Sequence, residues 1–90
     1  MRKIDLIEIS NVYNNATRGP WKSYIEGRDH ESGSSFIMTG QEDNRDYDIE
    51  FISVKNEDQD FIAMARNVIP ELVEEIKRLQ KLLDDNSIFY

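Results

Sequence analysis

No cysteine occurs in the 90 residues. That excludes disulfide scaffolds, thiolate zinc sites and cysteine nucleophiles together, and it predicts a reducing, cytoplasmic setting. Histidine is almost missing as well, with His30 alone, so no paired-histidine metal motif can form within the chain. The only prolines are Pro20 and Pro70, and the only glycines Gly19, Gly27, Gly33 and Gly40. Their spacing builds neither a phosphate-cradling loop nor a nucleophile elbow. No stretch approaches the ~20 apolar residues of a membrane span. The basic start Arg2-Lys3 is followed by Asp5 and Glu8 instead of the apolar core of a signal peptide. Basic charge is also scarce, 11 Lys and Arg against 18 Asp and Glu, for a net −7. Phosphate backbones need a basic surface, so direct nucleic-acid binding is not expected.

What is present describes one small domain over residues 1–90. Hydrophobic residues make up 39% and nine side chains are aromatic, which separates the chain from disordered acidic sequences. A chain this short buries only about 60–65% of the surface its unfolded form exposes. Association with a second copy would therefore add useful apolar burial.

Apolar residues at 4, 6, 7, 9, 12 and 13 place Leu6, Ile9 and Tyr13 on one stripe, predicting a helix within residues 1–15. Ile4, Leu6 and Ile9 would also fit a strand. Asn14-Asn15 and Gly19-Pro20 end the element. Over residues 21–54 three antiparallel strands are expected, at 21–26, 34–39 and 48–54, separated by polar loops at 27–33 and 40–46. Trp21, Ser23 and Ile25 alternate with Lys22, Tyr24 and Glu26; Phe36 and Met38 oppose Ile37; Ile49 and Phe51 oppose Ile52 and Val54.

The remainder, 57–85, reads as a long helix ahead of a tail at 86–90. Asn56 and Gln59 have capping-box spacing. Ile62, Ala65, Ile69, Leu72, Ile76, Leu79 and Leu83 recur at alternating steps of three and four, a heptad seam. Pro70 removes one backbone hydrogen bond and predicts a kink or break; the unbroken phase of the seam favours one bent helix. The architecture expected is thus α+β: a short N-terminal helix, a three-stranded antiparallel sheet and a long kinked C-terminal helix. Residues 58–73 are expected to cover the sheet. Beyond Val73 the stripe narrows, and Leu72, Ile76, Leu79 and Leu83 are assigned to self-association, predicting a homo-oligomer.

Constellations for catalysis are weak. His30 sits in a polar loop near Ser32, Ser34 and Ser35, which reads as turn chemistry. Asp46 through Glu57 has calcium-loop spacing, but Phe51 stands where the required glycine belongs. No enzyme activity, metal or cofactor is therefore expected. Arg18, Trp21, Tyr24, Arg28 and Arg66 include groups that stack on bases and fork onto phosphates, and they are the candidate ligand-binding set. The competing account makes Trp21 core and pairs the arginines with nearby acids. Residues 41–60 hold eight acids against Arg45 and Lys55. They form either a solvated stretch or a patch for a basic partner, a protein adaptor or a DNA mimic.

Two segments resemble the signatures of Ead-like phage and prophage accessory proteins. Ala16-Thr17-Arg18-Gly19-Pro20-Trp21 resembles their Ala-Thr-Pro-Gly-Pro-Trp, with Arg18 in place of proline. Asp58, Phe61-Ile62-Ala63 and Ala65-Arg66, with Pro70-Glu71-Leu72 after them, resemble the second signature in order and spacing. The resemblance implies a non-essential phage product acting in the cytoplasm of an infected bacterium. The function expected is a binder that counters host defence, by sequestering a nucleotide-type immune signal or by capping a defence protein.

Overall fold

The computed structural model describes residues 4–86 of the chain; the apolar tail Ile88-Phe89-Tyr90 lies outside them. Helix α1 spans Leu6–Asn15, strands β1, β2 and β3 span Trp21–Tyr24, Phe36–Gln41 and Asn44–Glu50, and helix α2 spans Asn56–Asp85. The fold is α+β, with a short first helix, a three-stranded antiparallel sheet in the order β1-β2-β3, and a long last helix.

Helix α1 begins where Asp5 turns its carboxylate onto the backbone N–H groups of Ile7 and Glu8, both at 3.0 Å. This is an N-cap that satisfies two otherwise orphan donors. The stripe Leu6, Ile9, Ser10 and Tyr13 is half-buried, while Ile7 and Val12 stay exposed. The helix reading of this segment holds, and its alternative as a strand does not.

The sheet differs from expectation in its last third. The third strand is Asn44–Glu50 instead of 48–54, and only Glu42 and Asp43 separate it from β2, since Gln41 pairs with Asn44. Gly40 makes the tight turn possible. Its φ is +80°, and a Cβ there would lie 2.8 Å from the Asn44 carbonyl oxygen and 3.0 Å from the Asp46 nitrogen, beside a register shift between Met38 and Gly40. Only glycine tolerates both conditions. Beyond Glu50 the chain leaves the sheet through Ser53 at φ 59°, and Ile52 is 93% exposed.

Helix α2 is continuous through Pro70, so the one-helix reading holds. Proline has no N–H, so the Arg66 carbonyl lacks its usual donor four residues on. Its start differs from the expected capping box: Asn56 is the first helical residue, Lys55 is the N-cap, and no side chain caps the backbone there. Gln59 has been drawn inward instead.

The face of α2 that meets the sheet is also not the heptad seam. Buried on the helix are Gln59, Ala63 and Val73, one stripe to the side of Ile62, Ile69 and Leu72. The core comprises Ile25, Ile37, Met38, Ala63 and Val73 with the polar Thr39 and Gln59. Along the seam and beside it, Ile62, Ile69, Leu72, Ile76, Leu79 and Leu82 keep between 36% and 54% of their surface exposed. Residues 58–73 do cover the sheet, as expected, but through the stripe of Gln59, Ala63 and Val73 and not through the seam. The physical reason lies in two amides that reach the sheet. Gln59 Nε2 lies 2.9, 3.2 and 3.0 Å from Ser23 Oγ, the Tyr24 carbonyl and the Phe36 carbonyl. Asn67 accepts from the Trp21 N–H and donates to its C=O, both at 2.8 Å. Asn67 thus plays the part of a neighbouring strand for the outer edge of β1.

Candidate functional site

Helices α1 and α2 and the side chain of Trp21 enclose a crevice of about 430 Å³. Its walls are apolar: Ile9 and Tyr13 from α1, and Ile62, Ala65 and Ile69 from α2. Three charged groups border it, Arg66 against Asp5 and Glu8. Trp21 is fixed there by its indole N–H, which lies 3.1 Å from the Thr17 carbonyl and 3.2 Å from that of Arg18. Arg66 donates from Nε to the Thr17 carbonyl at 3.1 Å and stands 5.9 Å from the centre of the Trp21 ring. The turn at Gly19-Pro20 delivers Trp21 to this position, and residues of the segment 16–21 therefore meet those of the segment 58–72.

Of the five candidate ligand residues, the structure brings only Trp21 and Arg66 together at this crevice. Arg18 points toward the β2–β3 hairpin, where it donates to the Asn44 carbonyl at 2.8 Å and lies 3.9 Å from the Asp46 carboxylate. Tyr24 alternates to the opposite face of the sheet, where it stacks on Phe36 at 5.3 Å with Lys22 above its ring. Arg28 is committed to a clamp. It grips Asp60 through two bonds of 2.7 and 3.0 Å and Asp29 through bonds of 3.1 and 2.8 Å. The bonds to Asp60 and Asp29 raise the Arg28 guanidinium further above its ordinary value. The bond from Arg28 holds Asp29 and Asp60 below the usual carboxylate range, reinforced at Asp29 by the Ile25 N–H and at Asp60 by Ser23. A guanidinium so occupied has no fork left for a phosphate.

The acidic segment 41–60 is divided by the fold. Asp46 and Asp48 are paired with Arg18 and Arg45, and Asp60 with Arg28. Arg45, Asp46, Asp48 and Glu50 occupy the exposed strand β3, beyond which the described residues place no further strand. Charge there discourages pairing with another sheet. Glu57 and Asp58 sit in the first turn of α2, where they favour the positive end of its dipole.

His30 packs on Tyr24 and Phe36. Its Nδ1 faces the Ser32 hydroxyl at 2.6 Å, the Ser32 N–H at 3.1 Å and the Glu26 carboxylate at 3.4 Å. A relay to a nucleophile needs serine and carboxylate on opposite ring nitrogens, whereas here both gather at one. The group ties the 26–35 loop together.

Sequence reasoning missed Gln59 and Asn67, whose roles are structural, and the contribution of α1 to the crevice. The signal for the latter was present in the stripe Ile9, Tyr13 and Ala16. Among the described residues no cluster of His, Cys, Asp or Glu is arranged to hold a metal, and no helix is long and apolar enough to cross a membrane. In comparisons with known proteins, no family model, no curated protein and no solved structure matches the chain.

Proposed function

We propose that this chain is a small, non-enzymatic binding protein of the phage or prophage type, which counters host defence by capping a defence protein. The site is the crevice between α1, α2 and Trp21. One observation favours a protein partner over a nucleotide-type signal. The crevice offers a single guanidinium, Arg66, against the carboxylates of Asp5 and Glu8, and its walls are apolar. A phosphate-bearing ligand needs several converging cations or backbone N–H groups. The other arginines of the candidate set are spent elsewhere. An apolar segment of a protein, flanked by one basic and one acidic or amide group, fits this lining. The phage origin rests on the two segments at residues 16–21 and 58–72.

The test has two arms. Expression in bacteria that carry a defence system should restore plaque formation by a phage that the system blocks, and Trp21→Ala should abolish the rescue. Melting the purified protein with a panel of cyclic and linear nucleotides should leave the midpoint unchanged. A nucleotide-dependent rise in that midpoint would overturn the protein-capping reading in favour of sequestration. Loss of rescue by neutralising Asp43, Asp46 and Asp48 instead would move the function to the acidic hairpin.

A further inference from the structure

The crevice has three walls, and its open side runs into the exposed seam of α2. Ile62, Ala65 and Ile69 line the crevice and are also consecutive seam positions. From them the stripe continues through Leu72, Ile76 and Leu79, each more than a third exposed, to Leu83. The stripe spans about 32 Å of helix and is roughly 10 Å wide. It therefore forms a contiguous apolar strip on the order of 300 Å², the size of the largest patch on a typical monomer and one that is often functional. The overall form agrees. The radius of gyration is 16.9 Å, against about 12 Å for a compact chain of this length, because α2 projects beyond the sheet.

We infer that the fourth wall of the crevice is the α2 helix of a second copy, in a parallel two-fold dimer zipped along Ile62–Leu83. The inference rests on the crevice being a protein-binding site, as proposed above, and names its resident partner. Three observations specify the occupant. The exposed stripe repeats in heptads, the pattern by which one helix matches another of its kind. Its first positions are Ile62, Ile69, Ile76 and Leu83, and its fourth positions are Ala65, Leu72 and Leu79. A β-branched first position with leucine at the fourth is the preference of parallel two-stranded pairs.

The third observation is where four further exposed apolar side chains lie. Phe61 and Met64 on α2, and Ile4 and Val12 on or beside α1, are all more than half exposed, and all sit at the crevice end of the molecule. A parallel pair gathers both sets at one end, where they add to the area that a stable dimer needs, about 800 Å² per partner. An antiparallel pair leaves them at opposite ends. A host protein that enters the crevice then competes with the second copy.

The absence of cysteine and the presence of a single tryptophan make the test clean. Light scattering should give twice the 10.6 kDa of one chain, and Leu79→Glu should return the mass to that of the monomer. Circular dichroism of the Leu79→Glu chain should show its helix and sheet retained, since residue 79 lies outside the core. Leu72→Cys and Leu83→Cys, each as a single variant, should both form disulfide dimers under mild oxidation. In an antiparallel pair the two-fold axis cannot pass through both sites. Trp21 emission should shift to the red as the wild-type protein is diluted through the dimer–monomer transition. A mass of 10.6 kDa at every concentration overturns the dimer. Cross-linking only when the two cysteine variants are mixed overturns the parallel arrangement. Emission that ignores dissociation overturns the shared crevice. None of these readouts involves a host factor, so a failed plaque assay leaves them untouched.

Discussion

The two halves of α2 carry the same heptad pattern and have opposite surroundings. Residues 56–73 lie against the sheet, and the contacts that position them are largely polar: the amides of Gln59 and Asn67 and the clamp between Asp60 and Arg28. Residues 74–85 project past the sheet, and their ion pairs, Lys77 with Glu74 and Arg78 with Glu75, stay on the helix surface. Apolar burial therefore does less of the positioning in the first half than its sequence implies, and the apolar seam remains free in both. The lesson is that an amphipathic stripe identifies a surface that needs cover. It does not identify which molecule provides it.

The sharpest way to break this comparison is to set one glutamine against another. Gln59 and Gln80 occupy the same heptad position three turns of the repeat apart. Gln59 is 0% exposed and faces three sheet oxygens, so Gln59→Ala should lower stability by about 3 kcal/mol, the cost of leaving buried acceptors unpaired. Urea unfolding of the variant checks this, and a loss below ~1 kcal/mol would mean that the amide does not hold the helix to the sheet.

Gly40→Ala should follow closely, at about 2–3 kcal/mol, because it combines a positive φ with a backbone clash. Here Gly40→Asn is the sharpening control. Asparagine tolerates the φ but still meets the clash, so it should recover only part of the loss.

The Arg28 clamp predicts a smaller effect that disappears in acid. Asp29 and Asp60 have their folded values depressed below 3.8. Their contribution is therefore complete above the unfolded carboxylate value and is lost as pH falls through the depressed folded values. Arg28→Gln should flatten that acid limb of the stability curve: its cost, kept small by solvent screening of the exposed clamp, is full near neutrality and vanishes once both carboxylates are protonated. An acid limb unchanged by Arg28→Gln would remove the clamp from the account. Smallest of all, Gln80→Ala in the dilute protein should stay within about 0.5 kcal/mol of wild type, since Gln80 is only part-buried and makes no hydrogen bond to the sheet.

Much of the fold was legible. Both helices, the α+β class and the facing of Phe36 and Met38 against Ile37 follow from apolar periodicity, because period 3.6 and period 2 are imposed by backbone geometry. The third strand was displaced because β3 is exposed along most of its length. An edge strand with wet faces has few apolar residues, so the alternation of Tyr47 and Ile49 with Asp46, Asp48 and Glu50 does not mark its bounds, and its turn lacks the usual glycine pair. Gln59 was taken for a capping residue because capping spacing and inward-facing spacing coincide in a first turn. The site was half legible. Trp21 and Arg66 do meet, but Tyr24 fell on the other sheet face by strict alternation from Trp21, and Arg28 was claimed by two acids, one of them 32 residues away.

Sequence alone determined the element types, the absence of thiol chemistry and the existence of a long apolar stripe, since each depends only on local spacing and composition. Tertiary structure decided which stripe of α2 meets the sheet and which arginine stays at the crevice. Those outcomes depend on hydrogen-bond partners brought from far along the chain, and no local pattern encodes the competition among them.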